Sequence, residues 1–135
     1  MNDQEICEKL KEIGFPQEGI EKSWKKYDID FLEGKIDQSS IDEIIARLPR
    51  LGFNFLKPEN ARDWEVDICA APDIQNLLDY LGERFDQINL ELYQDDWEAW
   101  VPVVKNKHGD TENLNQMANT AWRALALLVI ALEQS

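Results

Sequence analysis

The sequence predicts an α+β fold: a small antiparallel sheet of three or four strands with helices packed on both faces, an αβα sandwich. Three observations predict it. Apolar residues recur at helical spacing near both ends of the chain. Between them, "WEVDIC" at 64–69 and "INLELYQDDWEAWVPVV" at 88–104 alternate with a period of two, as half-buried strands do. The run from Ala124 to Leu132 carries no polar residue, which marks a helix buried on more than one side. A chain of 135 residues fits one domain, 1–135, with a largely helical part at 1–50 and a sheet plus a long C-terminal helix at 51–135. That length buries roughly two-thirds of the extended surface, enough for a core without disulfide staples.

The elements follow in order. Ile6, Leu10 and Ile13 form a helical seam that Gly14 stops. Ile20, Trp24 and Tyr27 repeat the spacing, so "SWKKY" at 23–27 reads as an amphipathic helical turn. Ser40 and Glu43 have the spacing of a capping box ahead of Ile41, Ile44, Ile45 and Leu48, and Pro49 ends that helix. "FNFL" at 53–56 is a candidate short strand. In "WEVDIC", Trp64, Val66 and Ile68 form one, apolar side of a half-buried strand and Glu65, Asp67 and Cys69 the other. Pro72 and Asp73 open a helix through Ile74, Leu77, Leu78 and Leu81 that closes near Gly82. A bend at Asp95-Asp96 then sets Leu92 opposite Ala99, Leu90 opposite Val101 and Ile88 opposite Val103, with a two-residue or a four-residue loop. The other face carries Glu91, Tyr93, Glu98 and Trp100, acids interleaved with rings. After "NKHGD", Asp110 or Thr111 caps a helix whose stripe runs Leu114, Met117, Ala118, Ala121, Leu125, Leu128 and Leu132. It is the central core helix; a homodimer formed through it is the rival reading. It is too short and too polar upstream to span a membrane.

The formal net charge is −13, and residues 59–98 hold twelve acids against only Arg62 and Arg84. Such a field repels nucleic acid and anionic membranes and attracts basic partners. The acidic start, "MNDQEICEKLKEIGF", is no signal peptide. Cys7 and Cys69 form no CxxC and read as buried, reduced thiols of a cytoplasmic protein.

Catalytic and metal chemistry has little to build on. His108 is the one histidine, so a zinc site lacks ligands. Asp28 and Asp30 start a calcium-loop pattern that fails at Leu32, at Glu33 where glycine is required, and at Ser39 where the bidentate glutamate belongs. Neither a phosphate-binding glycine loop nor a nucleophile elbow occurs. No cofactor is expected.

"DWEAWV" at 96–101, followed by Gly109, Thr111 and "TAWRAL" at 120–125, resembles the phage ABA-sandwich domain, a family of small phage and prophage proteins. The resemblance covers about 40 residues. Here the helix is entered through more residues, and no cysteine precedes Arg123. It implies helices on both sides of an antiparallel sheet and a phage-like origin, and it transfers no active residues.

The function expected from the residues is that of a small acidic, non-enzymatic protein-binding protein. It is of the inhibitor, immunity or phage accessory type and covers a basic partner surface. Tyr93 and Trp100 are its candidate anchors, with Glu91, Asp95, Asp96 and Glu98 around them. The alternatives are a phage structural or assembly protein and an enzyme with an unrecognised carboxylate site.

Overall fold

The computed structural model describes residues 2–28, 35–47, 64–94, 98–109, 111–113 and 117–134. The fold is α+β. Its elements are α1 (Asp3–Glu12), β1 (Ser23–Tyr27), β2 (Ile36–Asp37), α2 (Ile41–Arg47), β3 (Glu65–Ala70), α3 (Ile74–Gly82), β4 (Phe85–Gln94), β5 (Glu98–Asn106), β6 (Thr111–Asn113) and α4 (Ala121–Gln134). The strands form two antiparallel sheets, ordered β2-β1-β3 and β4-β5-β6, where one sheet was expected. The chain divides into two compact units, one of residues 1–16 with 72–135 and one of residues 17–71.

Local signals build the helices of the larger unit. Asn2 caps α1 by accepting from the Glu5 N–H at 2.8 Å, while Glu5 reaches back to the Asn2 N–H. At the other end Gly14 takes φ 94°, the Phe15 N–H donates to Leu10 O at 2.9 Å and the Gly14 N–H to Lys11 O at 3.1 Å. This pair of bonds is a Schellman motif, which satisfies carbonyls that the helix end would otherwise strand. It also carries Phe15 into the core, where its ring lies 4.9 Å from that of Tyr80. Asp73 caps α3 in the same reciprocal way: its carboxylate accepts from the Asn76 N–H at 2.8 Å and the Asn76 side chain accepts from the Asp73 N–H at 2.9 Å. Asp73→Ala removes this cap and is expected to cost about 1 kcal/mol in urea denaturation. An unchanged midpoint would show that α3 is held by packing alone.

Helix α4 is the centre of this unit, as its composition predicts. Ala124, Leu125, Leu128 and Val129 have no exposure, and the helix packs against α1, α3 and β5. Polar contacts fix both of its ends. Arg123 Nε donates to Asp3 Oδ1 at 2.7 Å, and Trp122 Nε1 donates to the Pro72 carbonyl at 2.7 Å. At the far end Glu133 accepts from the Tyr80 hydroxyl at 2.7 Å and pairs with Arg84, whose guanidinium lies over the Tyr80 ring.

The start of α4 differs from expectation. Thr111 is a strand residue, not a cap, and the helix begins at Ala121. The reason is the turn after β5. The His108 N–H donates to the Asn106 side chain at 2.9 Å, the Gly109 N–H to Asn106 O at 3.0 Å, and Gly109 takes φ 88°. Asparagine and glycine three residues apart close a β-hairpin, so the chain returns as β6. Met117 is half exposed accordingly, and Leu114 and Asp110 lie outside the described residues.

In the smaller unit "SWKKY" is strand β1, not a helical turn, so the N-terminal part is not helical throughout. Residues 23–27 pair with 65–70 through a bulge between Trp24 and Lys25, and with β2 on the other edge. Five residues cannot support a helix by themselves, whereas two neighbouring strands satisfy the backbone on both sides. Tyr27 joins Ile41 and Ile44 in the core, with Ile45 and Trp64 packed around them. Ser40 caps α2 as predicted, accepting from the Glu43 N–H at 3.2 Å. Glu65 Oε2 also accepts from the Ile41 N–H at 2.8 Å, so β3 serves another orphan donor of the helix. Helix α2 therefore covers the Tyr27–Glu65 side of the sheet. Val66, expected inside, is opposite Lys26 on the other face and is 57% exposed. Cys7 and Cys69 are both buried free thiols, as expected. "FNFL" and Pro49 lie outside the described residues.

Candidate interaction surface

The hairpin of β4 and β5 forms, but one residue out of the expected register. Tyr93 is opposite Ala99, Leu92 opposite Trp100, Leu90 opposite Pro102 and Ile88 opposite Val104. Gln94 pairs with Glu98, which leaves three residues for the loop. Both loops expected from the sequence have an even number of residues. An odd loop shifts every pair by one, and a one-residue shift exchanges the faces of one strand relative to the other.

That shift separates the two candidate anchors. Tyr93 shares a face with Glu91 and Ala99, and Trp100 shares the opposite face with Leu92. Tyr93 is 48% exposed, and its hydroxyl donates to Glu91 Oε2 at 2.8 Å. This bond, with the Glu91 charge behind it, raises the pKa of the phenol, because the carboxylate stabilises the neutral donor and opposes a second anion. Trp100 is half buried. Its backbone exchanges hydrogen bonds with Ala118, at 2.7 and 3.1 Å, so the tryptophan is held between β4 and the segment before α4. Of the surrounding acids, Glu91 is exposed and Glu98 is in β5 opposite Gln94. Asp95 and Asp96 lie outside the described residues.

Leu92 and Met117, expected on apolar stripes, are exposed, by 38% and 50%. The even loop expected from the sequence sets Leu92 opposite Ala99, whereas the odd loop sets it opposite Trp100. The unit that carries the hairpin is acidic in composition. Residues 1–16 and 72–135 contain fifteen Asp and Glu against six Lys and Arg.

The smaller unit has a half-open polar cleft of about 390 Å³, lined by Lys22, Lys25, Gln38, Ser39 and Ser40 together with Glu21 and Glu43. Lys25 Nζ donates to Ser23 Oγ at 2.8 Å and lies 3.7 Å from Asp67, and Ser23 Oγ donates to Asp67 at 3.0 Å. The trio clasps β1 to β3. Among the described residues no group of three His, Cys, Asp or Glu side chains could hold a metal ion, and His108 is exposed in its turn. No described helix is long and apolar enough to cross a membrane.

No protein-family model matches this chain, and neither a curated protein nor a solved structure matches it significantly.

Proposed function

We propose that this chain is a small acidic, non-enzymatic binding protein whose β4–β5 hairpin covers a basic surface on another protein. The observation that carries the proposal is the exposed pair Leu92 and Tyr93, beside Glu91, on a unit with fifteen carboxylates against six cationic side chains. The acidic field speeds encounter with a cationic partner, and burial of the ring and the leucine slows departure. Self-association through α4 has less surface to use, since Ala124, Leu125, Ala126, Leu128 and Val129 are already buried within the chain.

The test is retention of proteins from lysate on the immobilised chain, at low salt and at about 0.5 M salt, where surface charges are largely screened. A basic protein is expected on the wild type, released by salt. Its retention falls about tenfold on Tyr93→Ala, as loss of one well-packed ring implies. Tyr93 is too exposed for that change to unfold the chain, and a matching thermal midpoint checks this. Equal retention by the variant, or no salt-released protein at all, would sink the proposal.

A further inference from the structure

The outer edge of β4 is the least protected strand edge among the described residues. A sheet edge presents unpaired N–H and C=O groups, and proteins usually guard it with a short strand, a proline, charged side chains (lysine above all) or a bulge. The other edges have such protection. Strand β2 has two residues and β6 has three, and edge strand β3 carries Glu65 and Asp67. Strand β4 has ten residues, and no described strand pairs with its outer edge. Its one bulge lies at the far end, between Phe85 and Gln87. From Ile88 to Gln94 it contains no proline, no lysine and one charge, Glu91.

We infer that β4 is a docking edge that takes an extended, cationic segment of another protein as an added strand. The inference rests on the proposed function and names the form of its partner. A second copy of this chain is the wrong occupant: it brings its own net charge of −13, with a Glu91 on the very strand that would have to pair. The acidic character thus replaces the missing guards against self-pairing while it favours a basic strand. The two faces of β4 specify the pattern of that strand. Glu91 and Tyr93 occupy one face, suited to Lys or Arg through charge and through the ring face. Leu90 and Leu92 occupy the other, suited to aliphatic side chains. A segment that alternates basic and aliphatic residues satisfies both, with main-chain hydrogen bonds for affinity and alternate side chains for specificity.

The probe is the peptide Lys-Val-Lys-Val-Lys-Val-Lys, capped at both ends, titrated into the full chain. The same peptide N-methylated throughout keeps its charge and loses its backbone donors. The plain peptide is expected to bind and to slow amide exchange along 88–94. N-methylation is expected to weaken binding at least about tenfold, the loss of roughly one net hydrogen bond or more. Glu91→Lys is expected to weaken it similarly, with an unchanged thermal midpoint. If the two peptides bind alike and salt releases both, the edge inference fails while the acidic-surface proposal stands. If neither binds, the edge inference fails, and retention from lysate decides the proposal separately.

Discussion

Leu125→Ala is expected to lower the unfolding free energy of the larger unit by about 2–5 kcal/mol, the usual cost of removing a fully buried leucine and leaving a cavity. Leu125 has no exposure and sits on the helix around which that unit is built. Leu127, on the same helix, is only half buried, and Leu127→Ala is expected to cost clearly less. Urea denaturation of the two variants measures the difference. Equal losses would mean that α4 is covered on that side too, by a second chain for example, and would reopen self-association through this helix.

Alkaline pH is expected to destabilise the smaller unit through Tyr27. Burial pushes its hydroxyl up to about 12 from the ordinary 10.0; the charges of Asp37, Glu65 and Glu43 add to the rise, and Arg47 opposes it. The hydroxyl donates to the Ser39 carbonyl. Between those two pH values the folded chain keeps a proton that the unfolded chain has lost, so stability falls as pH rises. The contribution is complete below pH 10.0 and gone above about 12. A gap of two pH units corresponds to roughly 2–3 kcal/mol. Tyr27→Phe has no proton to lose. It is expected to be weaker than wild type at neutral pH by about 1 kcal/mol, from the lost hydrogen bond, yet to decline less between pH 10 and 12. Thermal midpoints across that range test this, and parallel curves for the two proteins would exclude Tyr27 as the cause.

The helix boundaries were legible where the signal lies within a few residues. Ser40 with Glu43, Pro72 with Asp73, and Gly14 each act on N–H or carbonyl groups of the adjacent turn, so reading them needs no knowledge of distant partners. The buried character of α4 was equally plain, because an unbroken apolar run from Ala124 to Leu132 has to be covered on several sides. The candidate site was legible only in part. Tyr93 and Glu91 were read on one face, where the structure has them, but Trp100 was placed beside them when it faces the other way.

The sequence by itself determined the α+β class, the caps, the core helix and the acidic charge, since each depends on composition or on neighbours along the chain. The tertiary structure decided which segments pair and in which register. Residues 23–27 have apolar spacing compatible with a helix and become a strand because 65–70, some forty residues away, offer a partner. Val66 is outside because α2 covers the other face of its sheet. Tyr93 and Trp100 part company because three loop residues, rather than two or four, close the hairpin. A strand's period of two makes its faces clear but not their assignment, and a single residue of register, fixed by turn geometry and by packing, reverses that assignment.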